Sequence, residues 1–273
     1  MPSALWKLSW RESRLLWLAM AILMFCFTWI HTWVVSQIDE NSLTSILSAL
    51  PDLLQRMSPV TVPQLASLMG RLAVAFDHPV TMFACTAWAI ARGSDAVSGP
   101  LGRGTMELIL SQPIHRWAII VVTCGVTTFG AVGLCLCGWL GLCAGIHTVP
   151  MFKEVSPLPF LLASMNLFSL AFFLGGAATL ASACDRHRWR TIGIVCALYI
   201  SSILLKVIGR VSKLPALEAS SFLDYFEPQK LIAEPALVWQ RTILYSGVLL
   251  GMGLLAYLTA IFVFNRRDLP APL

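Results

Sequence analysis

GRGTMELILSQPIHR, residues 102–116, is the longest run of definite character that does not read as a membrane span, and long apolar runs flank it on both sides. Gly104 interrupts the chain, and Thr105 is a residue type that caps helices by accepting a backbone N–H bond. Glu107 then falls in the first turn, where the positive end of the helix dipole favours a carboxylate. Met106, Ile109 and Leu110 repeat at helical spacing on one side, with Glu107 and Ser111 on the other. Pro113 disfavours helical geometry at Gln112 and ends the segment. The spacing therefore predicts a helix of about two turns over 105–112, lying at a membrane surface.

A membrane is implied by what surrounds this run. The chain has 273 residues, of which 57% are hydrophobic and 12% charged, and its mean hydropathy is +0.75. Soluble domains carry roughly twice that charged fraction. The fold class is all-α: a polytopic membrane protein forming a single domain. Apolar runs long enough to cross a hydrocarbon core of roughly 30 Å lie at about 15–35, 72–91, 117–146, 160–183, 191–208 and 241–264. They give six transmembrane helices, with external loops at 36–71 and 209–240. The first run is too long for a cleaved signal peptide and is read as a retained span. Residues 1–14, with Trp6, Lys7, Trp10, Arg11 and Arg14, form an interfacial lead-in.

Lys and Arg counts set the orientation. The side holding both termini and residues 102–116 carries eleven: Lys7, Arg11, Arg14, Arg92, Arg103, Arg116, Arg186, Arg188, Arg190, Arg266 and Arg267. The other side carries eight, spread over longer loops and offset by acids. Both termini are thus expected in the cytoplasm, in the cell (inner) membrane. The formal charge of +5 contains no basic block, so nucleic acid is not expected as a partner, whereas membrane lipids are.

Several features have local expectations. Gly141 and Gly145, preceded by Gly138, form a small-residue stripe suited to a dimer or an internal packing face. Gly175-Gly176-Ala177-Ala178 and Asn166 point to packing as well. Residues 43–50 repeat as short external helices, and Ser221–Pro228 as a short helix on the external surface. Lys206 near a span end is expected to snorkel. The eight cysteines lie in or beside apolar runs without a Cys-x-x-Cys pair and read as apolar thiols, with no metal site. Asp77-His78-Pro79 sits near a span end, where polar groups reach headgroups and water. The basic turn Asp185 to Arg190 is a headgroup-facing loop.

The chain also lacks an energy source of its own. Spans one, three, four and six hold no Asp, Glu, Lys or Arg in their middle thirds, where a proton-coupled carrier places an ionisable group. There is no phosphate-binding Gly-x-x-x-x-Gly-Lys-Ser/Thr loop, no His-Glu-x-x-His and no Gly-x-Ser-x-Gly. Uphill transport would need work from a partner.

Gly104-Thr105-Met106-Glu107-Leu108, then Ser111-Gln112-Pro113 and Arg116, resembles the cytoplasmic signature of type-2 ABC exporter permeases. His78-Pro79 and the ending Arg266-Arg267-Asp268-Leu269-Pro270 also match that family. Where the family often has acids just before Gly-Thr, Pro100 and Gly102 stand here. The resemblance implies a permease subunit without catalysis or cofactor of its own, paired with a second copy or a related permease. ATP and Mg would sit in a separate ATP-binding subunit docking on 105–112. The coupling residues it implies are Arg103, Gly104, Thr105, Met106, Glu107, Ile109, Leu110, Pro113 and Arg116. Asp185, Arg186, Arg188 and Arg190 form a smaller second cytoplasmic contact. Two other classes remain: a membrane-embedded lipid-modifying enzyme using Asp77, His78 and His115, and an assembly subunit without transport.

Overall fold

The computed structural model describes residues 2–112 and 115–267. Every regular element among them is helical. The long helices are α1 (Pro2–Ser36), α9 (Arg116–Thr148), α10 (Leu158–Cys184), α11 (Arg188–Val211) and α14 (Val238–Arg266). These five are long and apolar enough to cross a membrane. At 1.5 Å per residue α1 is about 50 Å long, so the lead-in expected over 1–14 continues straight into the first span as one helix.

The run expected as a single second span is two helices, α5 (Leu68–Asp77) and α6 (Pro79–Ser94). Pro79 brings no N–H and pushes His78 into extended geometry, φ −71° and ψ 140°. The break is stitched locally. His78 Nδ1 accepts from the Val80 amide at 3.3 Å, and the Thr81 hydroxyl reaches the Ala75 carbonyl at 2.7 Å. Before it, α2 (Glu40–Ser48), α3 (Asp52–Met57) and α4 (Val62–Ala66) are the short helices expected in that loop.

Packing centres on α9 and α10. The glycine stripe is an internal face: Gly138, Gly141 and Gly145 all meet α1. A Cβ on Gly141 would collide with the Phe25 carbonyl, so the backbones touch there only because Gly141 is bare. That approach lets the Thr28 hydroxyl donate to the Gly138 carbonyl at 2.8 Å, a bond worth about 0.6–2 kcal/mol where no water competes. Trp88, fully buried, donates from Nε1 to the Thr127 carbonyl at 2.9 Å. Gly175 and Gly176 seat α10 between α6 and α14, where Gly93 and Gly253 meet it.

The loop after α11 departs from expectation. The one-turn helix at Phe222–Tyr225 and α13 (Pro228–Ala233) are set into the end of the bundle, with Phe222, Leu223, Phe226, Leu231 and Ile232 buried. α12 (Pro215–Ala219) has no buried residue. Asn166 of α10 holds the insertion, donating to the Tyr225 carbonyl at 3.0 Å and accepting the Glu227 amide at 3.2 Å. Lys206 does not snorkel. Its ammonium pairs with Glu227 at 2.6 Å and donates to the Leu223 and Phe226 carbonyls at 2.6 and 2.9 Å. The apolar residues of this loop turn inward, and the largely covered cation is the counter-charge that allows Glu227 to follow them.

Candidate coupling site

At the end of α6 the chain bends through Asp95–Val97 into α7 (Ser98–Gly102). One buried hydroxyl of α10 fixes the bend. Ser182 Oγ accepts the amides of Val97 and Ser98 at 3.1 and 2.9 Å, and donates to the Ser94 carbonyl at 3.0 Å. A helix start leaves its first N–H groups without intrahelical partners, and here a neighbouring helix supplies one.

Gly104 breaks the chain as the sequence predicted. With φ +69° it is the left-handed residue that ends α7. The Thr105 amide reaches the Pro100 carbonyl at 3.0 Å, and the Gly104 amide reaches Leu101 at 3.1 Å. This pair of bonds is the glycine-terminated helix ending known as a Schellman motif. It also corrects the expected cap. Thr105 is committed to closing α7, its hydroxyl lies 3.3 Å from the Pro100 carbonyl, and it makes no side-chain cap.

The following helix is shorter than the expected 105–112. α8 is Met106–Leu110, and Ser111 and Gln112 continue as a turn. Pro113 lies outside the described residues. Met106 is 1% exposed and packs with Ile119, Ile120 and Phe264, with Ile109 and Leu110 against the same cluster. The apolar side of α8 is therefore spent on its own bundle. What faces out is Glu107, Leu108 (71% exposed), Ser111 and Gln112. Glu107 makes no ion pair with another described residue. Arg116 opens α9 and donates from Nη1 to the Arg267 carbonyl at 2.8 Å.

The Asp185–Arg190 turn lies beside this elbow. The Arg186 carbonyl is within 3.8 Å of where a Cβ on Gly102 would stand. Asp185 Oδ1 accepts the His187 and Arg186 amides at 3.0 and 2.6 Å, which hold its carboxyl below the usual range. Arg186 and Arg190 point outward, with Arg190 3.5 Å from Asp185. Asp95 ties the two stretches together: its Oδ1 pairs with Arg103 at 2.8 Å and Arg188 at 3.4 Å. Sequence reasoning missed Asp95, Ser182 and Leu108. An acid placed just before an arginine-bearing turn was the only signal available for Asp95.

The other singled-out polar residues are not gathered here. Asp77 and His78 sit at the α5–α6 break, one α6 length away, and His115 stacks on Trp117 at the start of α9. Asp77 accepts from Gln229 at 3.3 Å, beside a cavity of about 410 Å³ that Lys206 and Arg210 also line.

An all-helical bundle with a pinned, outward-facing elbow between α6 and α9 is now joined by a family match. The model described as ABC-2 family transporter protein covers residues 9–269. The chain belongs to the ABC-2 transporter family. It is accordingly a multi-pass membrane permease, a component of an ABC transporter whose family works with an ATP-binding subunit. A comparison with curated proteins gave no match. In this ABC-2 permease the elbow is held by buried hydroxyls and one shared carboxylate, and the side chains it leaves free all face away from the bundle.

Proposed function

We propose that this permease belongs to an exporter of the cell membrane, and that its ATP-binding subunit docks on the α7–α8 elbow together with the Asp185–Arg190 turn. The observation that carries this is the shared Asp95 carboxylate. Arg103 on the elbow and Arg188 on the second turn are bound to one group, so a push on either stretch is delivered to α6 and α11 together. Glu107 and Leu108 are the contacts offered to the partner, with Arg186 and Arg190 beside them. Met106, Ile109 and Leu110 act behind them, as the packing that passes force into α9. Arg116, bonded to the Arg267 carbonyl, fixes the start of α9 against the end of α14.

In this reading the chain is one permease domain with six crossings. α5 and α6 in series, ten and sixteen residues, make the second crossing; at 1.5 Å per residue they span about 40 Å, enough for the hydrocarbon core. The excess of Lys and Arg at the elbow end puts that end and both termini in the cytoplasm. ATP and Mg belong to the partner, and the working unit contains two permeases, identical or related.

The test is affinity capture of tagged full-length protein from mild detergent, comparing wild type with Glu107→Arg and Leu108→Asp. Wild type is expected to bring down an ATP-binding subunit and both variants to lose it. Equal capture by all three would move the docking surface elsewhere.

A further inference from the structure

Beside the elbow, between the first turns of α1 and the end of α6, is a cavity of about 260 Å³ whose polar wall is made by Ser13, Arg92, Asp95, Arg103 and Arg188, with Glu12 at its edge. Three guanidiniums face two carboxylates, leaving one positive charge uncompensated. Arg103 and Arg188 share Asp95. Arg92 has no ion pair with a described residue. It is 6% exposed, donates from Nη2 to Ser9 Oγ at 2.5 Å, and its Nε is buried with no partner. A guanidinium carries five N–H donors in a planar fork suited to phosphate oxygens. A buried one with an unused donor is costly unless something anionic reaches it.

We propose that this cavity binds the phosphate of an anionic phospholipid headgroup. Three observations favour a lipid over phosphate in solution. An adjoining cleft shares Glu12, Arg92, Asp95 and Arg103 and is otherwise mostly apolar, with Leu5, Leu8, Ile109, Ile119 and Val122 beside the hydroxyls of Ser9 and Thr123, a path for the hydrocarbon part of the ligand. Trp10, Trp117 and Trp189 are exposed at this same end, and exposed tryptophans mark the headgroup level. Lys7, Arg11 and Arg14 are exposed on the early turns of α1, and basic pockets flanked by such residues attract anionic headgroups. Binding at this pocket does not depend on where the ATP-binding subunit docks.

The test is native mass spectrometry of the full-length protein from mixed micelles. The probes are phosphatidylglycerol, phosphatidylcholine with the same chains, and inorganic phosphate. Wild type is expected to retain one phosphatidylglycerol per chain with about tenfold preference over phosphatidylcholine. Arg92→Gln and Arg103→Gln are expected to remove that preference, while Arg14→Gln, on the exposed face of α1, keeps it. Arg103 is half-exposed, so its variant carries the test if Arg92→Gln does not fold. Unchanged preference in Arg103→Gln, or an equal loss in Arg14→Gln, overturns the site. Displacement of the lipid by millimolar inorganic phosphate would assign the pocket to free phosphate and overturn the lipid.

Discussion

At the elbow end of the bundle, Asp95 divides its carboxylate between two arginines that are themselves half-exposed, and Glu107, Arg186 and Arg190 stand in the open. At the far end Glu227 is 1% exposed and is held by Lys206 and Arg210, both themselves largely covered, with Arg210 also bound to Glu218 at 2.7 Å. The far-end cluster is a lock: breaking a buried pair leaves a charge with neither water nor partner. The elbow charges are screened and cheap to rearrange. A surface that must receive and release another subunit is built from the second kind.

That contrast sets the order of expected effects. Glu227→Gln keeps the shape of the side chain but strands the Lys206 charge and leaves Arg210 with Glu218 alone, and it should cost about 3–5 kcal/mol. Thermal unfolding in detergent should show this as a fall of roughly 10 °C in Tm. An unchanged Tm would mean that the far-end cluster is not a lock. Ser182→Ala comes next. It leaves two buried amides unpaired, at about 1–3 kcal/mol, and hydrogen exchange at Val97 and Ser98 should accelerate while exchange in α9 does not.

Asp95→Asn should cost only about 1 kcal/mol, because its partners can turn to water. Its signature is local: tryptic cleavage after Arg103 should quicken by about fivefold as the elbow loosens. Equal cleavage rates would show that Ser182 alone holds the bend. The smallest effect on stability belongs to Glu107→Arg and Leu108→Asp, each within about 0.5 kcal/mol, although they are expected to lose the ATP-binding subunit. Measured in one preparation, that pairing of intact stability with lost capture separates a docking surface from a structural one.

Five of the six expected crossings appear as helices of the expected kind, and the elbow turns at Gly104, because these features rest on local rules. A long apolar run without proline has one stable form in lipid. A residue that must take positive φ is best supplied by glycine. The same rules place the residues of α8 but not the partner of its apolar face. Helical periodicity put Met106, Ile109 and Leu110 on one face and Glu107 on the other, which is where they are. Periodicity does not say whether an apolar face is covered by another subunit or by the chain itself, and Ile119, Ile120 and Phe264 cover it here. The sequence offers Thr105 as a cap for the helix after it, but its amide closes the helix before it.

The sequence by itself determined an all-helical membrane protein, a glycine-broken elbow between two apolar runs, and close packing at the glycines of α9 and α10. Each follows from the properties of single residues or their neighbours along the chain. Only the tertiary structure decided that α9's glycines meet α1, that the loop after α11 is set into the bundle, and that Lys206 finds Glu227. It also decided that Asp95 joins Arg103 to Arg188. These pairings span from 8 to more than 100 positions, and for a buried charge or a bare backbone the partner that removes its cost is chosen by the folded packing.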